Sequence, residues 1–362
     1  MAKRIVLTGG GTAGHVTPNL ALVPKLIEEG YEVIYIGSHK GIEKSLVEEK
    51  GIEYHSISSG KLRRQLSLKN VSDGFRVIKG MIDAKKLLKE LKPDIVFSKG
   101  GFVTVPVIYA AKSLGIPTVI HESDLTPGLA NRLSSKKSDR ICCSFEKTLD
   151  YLPKDKSERT GLPIRQELLS GDPLRAIASL GIKNNNPVIL VMGGSLGAVA
   201  INSIIHENIE TIIEKYNIIH ICGKGKANDE LNGKDGYYQF EYVGEELPDY
   251  LALADVVISR AGANAISELL ALHKLNILIP LSKAASRGDQ ILNAKEFVSK
   301  GYSVMIEEEM LNLPTLMNAI MELRANKEIY INKMKENNSL NTIDRLVEIF
   351  NELTTDTIDK IS

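Results

Sequence analysis

A short apolar run that breaks into glycines and restarts as a helix constrains this chain more than any other feature. Ile5-Val-Leu7 reads as a buried strand. Gly9, Gly10, Gly11 and Gly14 follow, and then Leu20, Leu22, Val23, Leu26 and Ile27 recur at helical spacing. Strand, glycine turn and helix in that order build an anion site. The glycines let backbone N–H groups approach an oxyanion, and the helix N-terminus adds partial positive charge. The turn has no Gly-Lys-Ser/Thr, so it is not a Walker loop. It also lacks a clean Gly-x-Gly-x-x-Gly followed about 20 residues on by an acid, which weakens a dinucleotide reading. His15 sharpens the motif, because a titratable group stands where the helix begins.

The same device returns down the chain. Strands are predicted at Glu32–Ile36, Tyr54–Ile57, Pro93–Phe97, Pro117–Ile120 and Asp139–Cys143, with helices at 41–50, 67–91 and up to Leu114. A second glycine turn, Ser98-Lys-Gly-Gly101, follows the third of these strands, and His121-Glu-Ser-Asp124 follows the fourth. The pattern restarts after Gly161-Leu-Pro-Ile-Arg165. Strands are predicted at Val188–Val191, Asn217–Ile221, Gln239–Val243, Asp255–Ile258 and Asn276–Pro280, with a third glycine turn at Gly193–Gly197. Alternating strands and helices mean parallel sheets wound on both faces. The expected fold is therefore α/β with two doubly wound domains, 1–160 and 161–339. Leu346, Ile349, Phe350 and Leu353 give the last helix (340–362) an apolar stripe that could return to the first half, and the sequence does not decide whether it does. Ligands of open α/β sheets bind outside the carboxyl ends of the strands, so the glycine turns would line a cleft if the two sheets face each other.

A net charge of zero hides an asymmetry. Residues 1–160 hold 26 Lys and Arg against 18 Asp and Glu, and the remainder holds 19 against 27. Lys61–Lys92 carries ten basic and three acidic residues, so one half is predicted to face something anionic; the bland alternative is a solvated helix face. The three cysteines, Cys142, Cys143 and Cys222, form neither a disulfide framework nor a metal spacing. No apolar run is long enough for a membrane span or a signal peptide, which predicts a cytosolic chain.

In the second half, Gly193–Gly197 offers backbone donors plus the Ser195 hydroxyl, suited to a phosphate. Ser259–Glu268 adds Arg260, Gly262, Ala263 and a helix N-terminus, with Glu268 about two turns on, where a carboxylate could accept both hydroxyls of a ribose. Arg165, at the junction, could pair with a diphosphate, and Gln290 could hold sugar hydroxyls. Taken singly, each has an ordinary reading as a packing turn, a solvated acid, a surface cation or an exposed amide. Together they describe a nucleotide-diphosphate site. No Asp-x-Asp is present to bridge a metal, so cations and helix N-termini would stabilise the leaving group.

Several stretches, in this order, resemble a known family from end to end. They are Thr8-Gly-Gly-Gly-Thr-Ala-Gly-His-Val16, Ser98–Val103, His121-Glu122 with Pro127–Asn131, Gly193–Gly197, Ser259–Ala263 with Ser267-Glu268, and Gln290 with Asn293-Ala294. The chain is similar to the N-acetylglucosaminyltransferases of peptidoglycan synthesis. That resemblance implies a GT-B fold of two Rossmann-like domains and an inverting transfer of N-acetylglucosamine from UDP-GlcNAc to lipid I, giving lipid II. No cofactor and no metal are expected. It implies that Thr12, Ala13 and Gly14 line the first turn near the donor sugar or acceptor diphosphate. Arg165, Ser195, Arg260, Gly262, Ala263, Glu268 and Gln290 would hold the donor, with Val243 near the uracil. His15 and Glu122 are the candidates for base chemistry. Ser123-Asp124 stand where many members have Gln-Asn, so a donor-sugar contact of the family is not carried onto Asp124.

The partners implied are UDP-GlcNAc, lipid I, an anionic membrane surface met peripherally at the cytoplasmic face, and wall-synthesis proteins; no nucleic acid is expected. Lys61, Arg63, Arg64, Lys69, Arg76 and Lys79, around Leu62, Leu66 and Phe75, would make the membrane contact. Three alternatives remain at this stage. They are a UDP-sugar transferase acting on diacylglycerol, a UDP-GlcNAc 2-epimerase of the same fold, and a non-enzymatic module that binds lipid diphosphates.

Overall fold

The computed structural model describes residues 3–60, 69–194, 198–283, 288–337 and 341–359. The chain divides into two compact units, Met1–Arg165 with Ser339–Ser362, and Gln166–Asn338.

In the first unit, seven strands pair in parallel: β1 (Lys3–Thr8), β2 (Tyr31–Ser38), β3 (Glu53–Ile57), β4 (Ile95–Ser98), β5 (Thr118–Glu122), β6 (Arg140–Cys143) and β7 (Ser157–Arg159). Their order is β3-β2-β1-β4-β5-β6-β7. Helices α1 (Ala13–Glu28), α2 (Ile42–Glu48), α3 (Lys69–Leu91), α4 (Thr104–Ser113) and α5 (Leu129–Ser134) connect them. The run Ile5-Val-Leu7 is continuous in apolar residues because both sheet faces are buried. Ile5 and Leu7 join one core with Leu22, Leu26, Tyr35 and Phe97. Val6 points to the other, with Ile34, Ile36, Leu88, Val107 and Ile120.

The closing helix (Thr342–Asp359) belongs to this unit. Ile343, Leu346, Val347, Ile349 and Phe350 enter the core of Ile5 and Leu7. The Phe350 ring meets Phe97 edge-on at 5.2 Å between centroids. Arg345 adds a bidentate pair to Glu158 on β7, at 2.6 and 2.8 Å. The strand β7 itself escapes sequence reading: Ser-Glu-Arg at a sheet edge has no apolar signal.

The second unit holds β8 (Val188–Met192), β9 (Asn217–Ile221), β10 (Tyr237–Phe240), β11 (Val256–Ser259), β12 (Asn276–Leu278) and β13 (Val304–Met305), in the order β10-β9-β8-β11-β12-β13, again all parallel. Around it run α6 (Pro173–Leu180), α7 (Val199–Glu207), α8 (Ile209–Ile213), α9 (Leu247–Leu253), α10 (Ala263–Ala271), α11 (Asp289–Ser299), α12 (Leu313–Ala325) and α13 (Lys327–Lys335). The helix α6 shows why a local sequence starts and stops a helix. Asp172 accepts from the Leu174 N–H at 2.8 Å, Pro173 sits in the first turn, and Gly181 closes the end at φ +67°. The strand β10 starts two residues and ends three residues earlier than the apolar pattern predicts, because Tyr237 rather than Val243 is the residue the core buries deeply. The two-residue strand β13 is too short to carry a pattern at all.

Candidate active site

Strand order fixes where a ligand can enter each unit. In the first sheet, the chain winds outward in opposite directions from β1 and β4; in the second, from β8 and β11. The crevice at such a reversal opens at the carboxyl ends of the two strands. In the first unit those ends carry Gly9–Thr12 and Ser98–Gly101. In the second they carry Gly193-Gly194 and Arg260–Gly262.

The two turns of the first unit touch backbone to backbone. Gly10 N–H donates to Gly100 O at 3.3 Å, and Lys99 N–H donates to Thr8 O at 2.9 Å. Gly101 takes φ +94°, and a Cβ there would come within 2.2 Å of the Gly10 carbonyl, so only glycine fits. The first turn is held from below by Glu43 of α2, a residue the sequence did not single out. One carboxylate oxygen accepts from Gly11 N–H at 3.1 Å, and the other from Ser38 N–H at 3.0 Å. A Cβ on Gly10 would sit 2.7 Å from that carboxyl group. No local pattern announces such a support; it exists only once α2 packs beneath the turn.

Thr12 is the N-cap of α1, and its side chain does not cap the helix. Its Oγ1 lies instead 3.1 Å from His15 Nδ1. Ala13 and Gly14 form the first turn of the helix. His15 is half-buried, and its Nδ1 lies 3.0 Å from the Gly10 carbonyl. A carbonyl can only accept, so Nδ1 carries the proton of the neutral ring and the lone pair is at Nε2.

Glu122 stands at the end of β5, with the Ser98–Gly101 turn between it and the His15 turn in strand order. Its carboxylate is buried and accepts three N–H groups: Asp124 N at 3.0 Å, Gly128 N at 2.9 Å and Asn131 Nδ2 at 2.9 Å. Burial, with the nearby Asp124 charge, raises its pKa, and those three donors oppose the rise. The observed bonds make Glu122 the anchor of the 122–131 loop.

In the second unit, Gly262 caps α10 with no side-chain bond, and Ala263 is its buried first residue. Glu268 lies half-buried further along α10. Gln290, in the first turn of α11, accepts from Leu281 N–H at 3.1 Å and so anchors the loop after β12. Arg260 is buried. Its Nη1 donates to the carbonyls of Ile279 and Pro280 at 3.0 and 3.3 Å, and its Nη2 pairs with Glu308. The guanidinium therefore ties β11 to the end of β12. Val243 is half-buried against the core of the second unit, which holds Leu190, Ile219 and Val257. Arg165 is half-buried at the end of the first unit. Ser195 lies outside the described residues, as do Lys61, Arg63 and Arg64.

One set of metal-capable side chains converges among the described residues: His206, His220 and Cys222. Both nitrogens of His220 are already engaged, at 2.9 Å to Tyr237 OH and 3.1 Å to Asn202 Oδ1. Burial pushes the Cys222 thiol up to about 11. These contacts describe a hydrogen-bonded polar core.

Comparison with known proteins adds to this geometry. The model of the glycosyltransferase family 28 N-terminal domain matches residues 5–143, and that of the family 28 C-terminal domain matches residues 188–348. The UDP-N-acetylglucosamine–N-acetylmuramyl-(pentapeptide) pyrophosphoryl-undecaprenol N-acetylglucosamine transferase of Lachnoclostridium phytofermentans is 55% identical over 351 residues, covering 97% of this chain and 99% of that protein. Among solved structures, MurG of Acinetobacter baumannii superposes with a TM-score of 0.76 at 25% identity, over 97% of this chain and 99% of its own. The UDP-GlcNAc 2-epimerase of Neisseria meningitidis shares the fold at a TM-score of 0.66 and 16% identity, over 96% and 100% of the two chains.

Proposed function

The chain belongs to glycosyltransferase family 28, and from that premise we propose that it transfers N-acetylglucosamine from UDP-GlcNAc to the muramic acid 4-hydroxyl of lipid I, giving lipid II. It is an N-acetylglucosaminyltransferase built from two Rossmann-like domains of the GT-B type. The observation that carries this reading is the 55% identity to a transferase of that name over nearly the whole of both chains. The site geometry supports the assignment of parts.

The donor is held by the second unit. The N-terminus of α10, opened by Gly262, faces the strand-end crevice and favours the negative phosphates. Glu268 takes the ribose hydroxyls, and Gln290 stiffens the loop beside the sugar. Arg165 and Ser195 complete the diphosphate contacts, and Val243 covers the uracil. Arg260 contributes by fixing the loop through its backbone carbonyl bonds.

The acceptor diphosphate lies over the two glycine turns of the first unit, at the start of α1. The acceptor hydroxyl attacks the anomeric carbon from the face opposite UDP, the C1–O bond to phosphate breaks, and configuration inverts. The hydroxyl proton passes to Nε2 of His15. The Gly10 carbonyl favours this role, because it holds Nδ1–H and keeps the lone pair on Nε2. The imidazolium that forms is stabilised by the same carbonyl. Glu122, with both oxygens engaged, positions the loop beside the acceptor.

The prenyl tail of the acceptor requires the enzyme to meet a membrane. None of the described helices is long and apolar enough to cross one. On α3, Ile78 and Ile82 are 58% and 66% exposed and share a helix face with Lys85 and Lys89. That face makes a peripheral contact with anionic lipid, each cation contributing about 1 kcal/mol. The function is tested by UDP release from UDP-GlcNAc with and without a lipid I analogue. Release that depends on the analogue supports it, and no release with any acceptor overturns it.

A further inference from the structure

Among the described residues, Lys99 is the one lysine in the set of largest fully buried side chains. It is 1% exposed, at the root of the second glycine turn. Its Nζ donates to His121 Nδ1 at 2.6 Å and to Ser123 Oγ at 2.8 Å. His121 in turn donates from Nε2 to the Gly161 carbonyl at 2.6 Å, which fixes Nδ1 as an acceptor and the ring as neutral. Burial holds the His121 pKa well below its usual value, and Lys99 lowers it further whenever the amine is charged. The backbone of Lys99 is bonded to Thr8, and Gly100 beside it accepts from Gly10. The Lys99 backbone thus joins the two turns, and its side chain ties the second of them to His121 at the end of β5 and Ser123 just beyond.

We propose that Lys99 is a positioning residue for the acceptor: sealed beneath the two glycine turns, it takes up a proton when a diphosphate settles on them and supplies the counter-charge from within the fold. This rests on the acceptor assignment above. A neutral amine has two N–H donors, matched by the two acceptors His121 and Ser123, so the free protein accommodates it without charge. An ammonium in the same place has a third N–H and a full charge to balance. The groups that face it are Glu122 at the end of β5, Asp124 just beyond it and Cys142 on β6. Burial outweighs them and brings Lys99 down to about 7. Cys142 stays a neutral thiol, because burial pushes its pKa far up. The amine is therefore poised, and added negative potential at the turns tips it toward the ammonium. A methionine keeps a long unbranched side chain and a glutamine keeps an N–H donor, one bond nearer the backbone, but neither can change charge. The ammonium does not touch the diphosphate; it acts through the turns and through Ser123, itself 8% exposed.

The test is calorimetric titration of the whole protein at pH 7.5 with a short-chain, water-soluble lipid I analogue, in buffers of different ionisation enthalpy. Wild type is expected to take up about half a proton on binding. UDP-GlcNAc alone is expected to bind with no such uptake. Lys99→Gln, checked for folding by circular dichroism, is expected to bind the analogue without uptake. Its KM for the acceptor should rise about tenfold, with the KM for UDP-GlcNAc unmoved. His15→Ala should keep the uptake. Binding by wild type without uptake, or uptake that survives Lys99→Gln, overturns the inference while leaving the acceptor site intact. Uptake that vanishes in His15→Ala and persists in Lys99→Gln assigns the proton to His15 and also overturns it. Failure of wild type to bind the analogue at all removes the acceptor reading, and this inference with it.

Discussion

Replacing Lys99 by methionine should change how the stability of the first unit depends on pH, with a sign that can be worked out. The amine sits at about 7 in the folded chain, against roughly 10.4 when unfolded. Its folded pKa is depressed, so its stabilising contribution is complete above the unfolded value and is lost as pH falls through the folded one. Between pH 7 and about 10.4 the unfolded chain holds a proton that the folded chain has released. Stability therefore rises with pH, by up to about 1.4 kcal/mol per unit. From pH 7.5 to 9.5 wild type should gain about 2–3 kcal/mol relative to Lys99→Met, which has no group to titrate. The substitution also leaves His121 Nδ1 and Ser123 Oγ without their donor, a constant penalty of about 1–3 kcal/mol that offsets the two curves without changing the slope between them. Hydrogen exchange of the β4 and β5 amides, corrected for intrinsic rates, reads the opening free energy of this region. Wild-type and variant curves that run parallel across the range would refute the picture of a neutral buried amine.

Further expectations follow from the same contacts. His15→Ala should lower kcat at saturating substrates by roughly 10²–10⁴; a near-normal kcat would move the base elsewhere. Glu268→Ala should raise the KM for UDP-GlcNAc, the loss of about 1–3 kcal/mol of polar pairing corresponding to roughly 5–150-fold, and an unchanged KM would take Glu268 out of the ribose site. Phe350→Ala should destabilise the first unit by about 3–5 kcal/mol, since the ring is fully buried against Phe97. If chemical denaturation of that variant matches wild type, the closing helix is not part of that core.

Much of this architecture was legible because it is written locally. Ile5-Val-Leu7 had to be a strand buried on both faces, since three consecutive apolar residues cannot alternate with solvent. The glycines after it had to be a turn, and His15 had to stand at the helix start. What stayed hidden depends on contacts made only in three dimensions. Glu43 supports the first turn from α2, across 32 residues of sequence. Arg260 reads as a free cation beside a glycine until Ile279, Pro280 and Glu308 are seen to surround it. Lys99 looks like one more charge in a basic half, and only the packing of β4 against β5 shows that it is buried. Edge strands β7 and β13 carry no pattern because too few of their residues face a core. The closing helix showed its apolar stripe in sequence, but its destination needed Phe97 and Glu158.

The product itself reports the transfer and its stereochemistry. The protein is incubated with UDP-GlcNAc and a lipid I analogue, and the product is isolated and its anomeric linkage read by proton NMR. The expected product carries a single N-acetylglucosamine joined β to the 4-hydroxyl of the muramic acid, with one UDP released per sugar transferred. Formation of UDP-N-acetylmannosamine from UDP-GlcNAc alone, or an α linkage in the product, would contradict it.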